Sequence, residues 1–174
     1  MRTGGITTHS TGSPSGFPHE PTLPHRGSTS SGTPPTCFAA EDERADGRLG
    51  QELFRWRVLR AYRECCAVCH LRHSELLDAA HILPDRHPKG EPIVPNGLAM
   101  CKLHHAAFDS HFLGVRPDLS IELRRDILDE TDGPMLRYGL QGFHGKLLHA
   151  PRTRGLRPSV DFLAERFELF RKAG

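Results

Sequence analysis

The sequence predicts an α+β fold, and three features predict it. An apolar stripe at helical spacing occupies residues 49–65, and a strand–loop–strand–helix order runs from residue 76 to residue 110. Two residue pairs, Cys66/Cys69 and Cys101/His104, repeat one spacing at either end of the segment that holds the two strands.

Residues 1–45 stand apart in composition. Gly, Ser, Thr, Pro and His dominate them, and Ile6, Phe17, Leu23 and Phe38 are their only large apolar side chains. Such a stretch buries too little surface to offset the entropy of ordering a chain. It is expected as a disordered tail ahead of one domain over residues 46–174. The tail carries 3 basic and 4 acidic residues, which leaves the domain with 20 Lys and Arg against 17 Asp and Glu. That mild excess names no partner by itself, because affinity for phosphate depends on clustering. Arg55, Arg57, Arg60 and Arg63 do cluster, and Arg152, Arg154 and Arg157 form a second group.

The first helix is expected over Leu49–Cys65, where Phe54, Val58, Ala61, Tyr62 and Cys65 recur at three and four residues and the arginines take the other faces. Cys66–Cys69 then makes a tight knuckle. Leu76–Ile82 is a short apolar run suited to a strand. Pro84, Pro88, Pro92 and Pro95 mark a loop that breaks both helix and ladder and ends at the turn-forming pair Asn96-Gly97. A brief strand follows at Leu98–Met100 and a helix at Lys102–Ser110. A small hairpin is expected from Leu113–Val115 and Ser120–Leu123, then a strand at Lys146–His149. A closing helix is expected over Val160–Lys172, with Phe162, Leu163, Phe167 and Phe170 on its inner side.

Five cysteines, four of them beside one another or near histidines, point to metal rather than to a disulfide framework. Two intervening residues let Cys66 and Cys69 reach one ion, and Cys101 and His104 repeat the spacing. Three thiolates and one imidazole suit zinc in a closed tetrahedral shell, which is the hallmark of a structural site. Cys37 and Cys65 are left over, and Cys65 belongs to the apolar stripe.

A histidine in the intervening strand, an asparagine after the loop and a histidine directly behind the last ligand complete a second set: His81, Asn96 and His105. Together with the zinc pairs this arrangement resembles the HNH nuclease family. In this chain the motif reads Asp78-Ala-Ala-His81-Ile, then Asn96-Gly-Leu-Ala-Met-Cys101-Lys-Leu-His104-His105-Ala-Ala-Phe-Asp109. The resemblance covers residues 54–115 closely and the extension over 116–174 loosely. It implies a ββα-metal core, stapled by a structural zinc knuckle and built around one catalytic cation.

Phosphodiester hydrolysis needs a deprotonated water and positive charge against the phosphate. Histidine can take that proton near neutral pH, its ordinary pKa being ~6.5. The resemblance makes His81 the general base. Asn96 cannot titrate; its amide can tie the loop and orient the His81 ring, or offer an oxygen to the metal. His105 and Asp109, four apart on one helix, form a credible clamp for a divalent ion. A ligand one turn beyond the last histidine is also what the resemblance to colicin nucleases implies. Many HNH sites place Asp or His directly before the base, where this chain has Ala80. Asp78 is a substitute only if a bulge turns it, since a regular strand points it away from His81. Magnesium, manganese or nickel would suit such sparse ligation.

These readings converge on a metal-dependent DNA endonuclease of restriction, defence or mobile-element type, whose arginine-rich first helix (Arg55, Arg57, Arg60, Arg63) grips the phosphate backbone. The rival reading is a zinc-dependent nucleic-acid-binding module without catalysis, and Ala80 is its motive. Double-stranded DNA is the expected partner and a homodimer the expected way to cut two strands. No apolar run nears the ~20 residues that span a bilayer, and a cytoplasmic location is expected.

Overall fold

The computed structural model describes residues 37–174 other than Asp132, with side chains from residue 48 onward. Residues 1–36 of the expected tail, with His9, His19 and His25, lie outside them, as does the side chain of Cys37. Residues 37–45, also assigned to the tail, are instead the first turns of helix α1, Cys37–Ala61.

Helix α1 buries Phe54, Val58, Leu59 and, just beyond its end, Tyr62. It stops four residues short of the expected Cys65. The Glu64 N–H donates to Leu59 O at 2.8 Å and the Arg63 N–H to Arg60 O at 3.1 Å, with both residues left-handed at φ 51° and 57°. This is the paired bonding of a Schellman stop, made here without the glycine that usually announces it. Cys65 therefore packs below the helix rather than on it, and it is buried.

Strands β1 (Leu77–His81) and β2 (Gly97–Cys101) pair antiparallel in unbroken register, from Leu77 opposite Cys101 to His81 opposite Gly97. A two-stranded ribbon is marginal alone. Here helix α1 and helix α2 (Lys102–Asp109) pack on it, and every residue of β2 is buried. Close packing needs Gly97: a Cβ there would lie 2.4 Å from Val58 Cγ2 and 2.9 Å from Phe54 Cζ.

Strands β3 (Leu113–Val115) and β4 (Ile121–Leu123) form the second hairpin. The expected strand at Lys146–His149 reduces to a single bridge between Ser120 and Leu147. Two short helices that the pattern does not announce follow β4, namely α3 (Arg125–Asp129) and α4 (Pro134–Gly139). Helix α5 (Val160–Ala173) closes the domain, capped by Ser159 and burying Leu163, Phe167 and Phe170. It lies on β3, where a Cβ on Gly114 would meet the Phe170 ring at 2.6 Å. No helix among the described residues is long and apolar enough to cross a membrane.

Candidate active site and metal centre

The knuckle after α1 is shaped by its own backbone. The Cys66 N–H donates to Leu71 O at 2.9 Å, the His70 N–H donates to Cys66 O at 3.0 Å, and His70 takes φ 62°. The Ala67 N–H reaches Ala99 O at 2.7 Å, which ties the knuckle to β2. Cys101 ends β2 and His104 sits on the first turn of α2, so strand and helix deliver the second pair.

The donor atoms of Cys66, Cys69, Cys101 and His104 all lie within 4.8 Å of one another, the one such cluster found among the described residues. Cys69 Sγ and Cys101 Sγ are 3.9 Å apart, and His104 Nδ1 is 3.1 Å from Cys101 Sγ and 3.6 Å from Cys66 Sγ. Sulfurs bound to zinc at ~2.3 Å in a tetrahedron sit about 3.8 Å apart, so the cluster fits that ion. His104 Nε2 lies 2.8 Å from the Gly139 carbonyl of α4. A carbonyl can only accept, so Nε2 carries the proton and Nδ1 turns its lone pair on the sulfurs. A hydrogen bond from Cys101, opposed by burial and aided by nearby backbone N–H groups, holds the Cys66 thiol far below its ordinary pKa, the thiolate form that a metal requires. Cys101 moves upward in the same coupling, chiefly because it donates to Cys66.

The second constellation sits where β1 meets α2. The His81 ring, half-buried at the end of β1, stacks on Phe54 of α1 with ring centroids 4.0 Å apart. Its Nε2 lies 3.0 Å from Asp85 Oδ1, although the ring N–H is not aligned to form a hydrogen bond there. Burial lowers the His81 pKa first; Asp85 and Asp109 act against that and His105 reinforces it. The imidazole is therefore neutral near physiological pH.

His105 Nε2 is 3.2 Å from Asp109 Oδ2 across one helical turn. That bond raises His105 and lowers Asp109. Two ligands at ~2.1 Å and a right angle stand about 3.0 Å apart in an octahedral magnesium shell, so the pair fits one edge of such a site. Asp109 Oδ1 faces Arg166 of α5 at 3.9 Å, while the same guanidinium donates to Phe108 O at 2.9 Å.

The unbroken register of β1 carries no bulge, yet Asp78 still approaches His105, from the other ring nitrogen: Oδ2 is 3.8 Å from Nδ1. Asp78 thus stands across the ring from Asp109 rather than beside it. Lys102 at 3.3 Å and Arg55 at 3.7 Å also face its carboxylate. Ala80 is fully buried against the core.

Asn96 is fully buried, and its side chain is spent on the loop. Oδ1 accepts from the Leu83 N–H at 2.9 Å, and Nδ2 donates to Leu83 O and Glu91 O, each at 3.0 Å. The amide makes no bond to the His81 ring. The Ile82 N–H donates to the Asn96 carbonyl at 2.9 Å, so the residue after His81 is pinned to the same point.

Among the arginines of α1, Arg55 is engaged internally, donating to Ser74 O at 2.8 Å and Leu77 O at 3.0 Å where β1 begins. Arg57, Arg60 and Arg63 are exposed, and Arg60 lies over the Trp56 ring. Asp85 and Arg166 belong to the constellation and escape sequence reasoning: one lies in an irregular loop and the other on a distant helix. His87 is paired with Glu165 of α5 at 2.8 Å. His144 Nδ1 accepts from the Leu123 N–H at 3.1 Å.

Residues 66–116 match the family model of HNH endonucleases. Among solved structures the chain is similar to a modification-dependent TagI restriction endonuclease, at 16% identity with a TM-score of 0.45, over 67% of this chain and 37% of that one. The chain thus spans little more than a third of that protein. No curated protein matches it.

Proposed function

We propose, from the match of residues 66–116 to the HNH endonuclease family model, that the chain is a metal-dependent endonuclease that hydrolyses DNA phosphodiester bonds. The observation that carries the reading is the meeting of a neutral, half-buried His81 with the His105–Asp109 pair, whose facing atoms are 3.2 Å apart. A divalent ion, magnesium, manganese or nickel, held by His105 Nε2 and Asp109 would withdraw charge from the scissile phosphate and its leaving oxygen.

His81 is the general base. The Asp85 carboxylate beside Nε2 favours the tautomer protonated there, which leaves Nδ1 to take the proton of the attacking water. Phe54 fixes the plane of the ring by stacking. Asn96 acts at one remove, by holding the two ends of the loop that follows His81. Arg166 keeps the second oxygen of Asp109 charged and directed. Zinc in the Cys66–Cys69–Cys101–His104 cluster is the structural staple of the domain. Exposed Arg57, Arg60 and Arg63 serve the phosphate backbone, with Arg55 as their internal anchor. Cutting both strands calls for two copies of the chain, and restriction, defence or mobile-element work suits the activity.

The buried Ala80, where other members carry a ligand, favours a second reading in which the module binds DNA without cutting it. Plasmid nicking with each of the three ions, comparing wild type with His81→Ala, separates the two. Loss of about 10²–10⁴ in rate is expected on removing a general base. Undiminished nicking by the variant sinks the base assignment, and salt-dependent DNA binding with no nicking by either protein supports the second reading.

A further inference from the structure

The two arginine groups, separate in the chain, meet at one place. A pocket of about 140 Å³ at the C-terminal end of α1 is lined by Ala61, Tyr62, Arg63 and Arg72 on one stretch of chain and by residues 149–152 on another. No carboxylate lines it. Among the described residues neither Arg63, Arg72 nor Arg152 makes an ion pair or a side-chain hydrogen bond. Elsewhere in the domain guanidiniums are mostly engaged: Arg116 with Glu122, Arg124 with Asp126, Arg125 with Asp129 and Arg171 with Glu168.

The walls are held from several sides. Arg63 sits at the left-handed stop of α1, and Arg72 leaves the zinc knuckle. The His149 N–H donates to Ala67 O at 2.8 Å, and Arg157 Nε donates to Pro151 O at 3.1 Å. His70 adds its ring beside His149, with centroids 5.3 Å apart. Besides burial, the groups acting on His149 are His70, Arg72, Arg63 and Arg152, every one of them cationic or neutral. Unpaired guanidiniums converging on a concave site held by backbone bonds are an oxyanion receptor, and the planar fork of arginine matches phosphate oxygens in pairs.

We propose that this pocket binds one backbone phosphate of a nucleic-acid strand, as a docking point separate from the cutting site. The proposal rests on the nuclease reading for the identity of the strand, but not for the pocket's taste for phosphate. Helix α1 rises about 12 Å between Phe54, which stacks on His81, and Tyr62, which lines the pocket. At ~3.4 Å of axial rise per nucleotide, a strand seated in both would keep its bound phosphate some three or four nucleotides from the bond that is cut.

The test uses the full zinc-loaded chain. Arg72 and Arg152 are exposed, so R72A/R152A is expected to fold; R125A/R171A removes two charges elsewhere and serves as the control. Binding to a short duplex without catalytic metal is measured against salt. R72A/R152A should bind at least ~tenfold more weakly, with a log–log salt slope shallower by about 0.9 for the one lost phosphate contact, while the control matches wild type. In parallel, inorganic phosphate is titrated while the backbone amides of His149 and Ala150 are followed by NMR; shifts in wild type that vanish in R72A/R152A are expected.

Wild-type affinity and slope in R72A/R152A overturn the proposal, whether or not the protein cuts DNA. Phosphate-dependent shifts without any duplex binding by wild type also overturn it, since the pocket would then take free phosphate. A chain that never nicks DNA with any ion, yet loses duplex affinity in R72A/R152A, refutes the nuclease reading and leaves the pocket standing.

Discussion

Replacing Asn96 with alanine should cost about 3–4 kcal/mol of stability. The side chain makes three hydrogen bonds, two to the main chain of fully buried Leu83 and one to the Glu91 carbonyl. Each buried group left without a partner costs ~1–3 kcal/mol. Both Leu83 groups bear the full cost, whereas the part-buried Glu91 carbonyl regains water and adds little. Against a total stability of ~5–15 kcal/mol this is a large loss. Urea unfolding of the zinc-loaded protein, followed by circular dichroism, reads it as a lower midpoint at unchanged slope. Asn96→Asp should fare no better, because it keeps the acceptor for the Leu83 N–H but turns a buried carboxylate on two carbonyl oxygens. Nicking should fall with stability's loss at temperatures where the variant is still folded, since a shift of ~1 Å at His81 can cost ~10² in rate. A loss under about 1 kcal/mol, accompanied by weaker binding of the catalytic ion, would refute the loop-clamp argument and make Asn96 a ligand.

Gly97→Ala should destabilise by ~1–3 kcal/mol, because the 2.4 Å approach of Val58 Cγ2 outweighs the ~0.5–1 kcal/mol that removing a strand glycine otherwise gains; an equal or higher melting temperature would contradict it. Chelating zinc should abolish cooperative thermal unfolding, and Cys66→Ser should reproduce that effect without chelator; a chelated protein that keeps its transition would show the cluster to be dispensable. The nicking rate should fall toward low pH with a midpoint below the ordinary ~6.5 of histidine, because burial depresses His81 and a bound cation adds to it. The sign is that of a group whose folded pKa is lowered: its stabilising share is present above ~6.5 and is lost as pH falls through the folded value. Arg166→Met should leave the fold intact and weaken the catalytic ion by about tenfold, by freeing the Asp109 oxygen that the guanidinium faces at 3.9 Å; isothermal titration with Mn²⁺ measures it, and unchanged affinity would remove Arg166 from the site.

What was legible in the sequence was local. The repeated two-residue spacing of the zinc pairs, the proline-marked loop and the apolar period of α5 each specify their structure within a few residues. The end of α1 was misread because its Schellman stop uses Arg63 and Glu64 where glycine is the usual signal. Helices α3 and α4 bury no residue fully, so no apolar stripe betrays them. Arg55 looked like its neighbours, yet only tertiary structure brings the carbonyls of Ser74 and Leu77 within its reach. Asp85 and Arg166 share that fate, since each acquires its role from a partner distant in chain or held by an irregular loop.

On the proposed function, the adjacency of His104 and His105 would set a structural metal and a catalytic one close together. Successive residues of a helix point ~100° apart, so once His104 is drawn to the sulfurs, His105 must face another way. It faces Asp109 and, through its other nitrogen, Asp78. The Gly139 carbonyl holds the outer nitrogen of His104 and so fixes the rotation of α2 about its axis. A small rotation of that helix would carry His105 and Asp109 away from His81 together, which makes the zinc staple the determinant of where the catalytic pair stands.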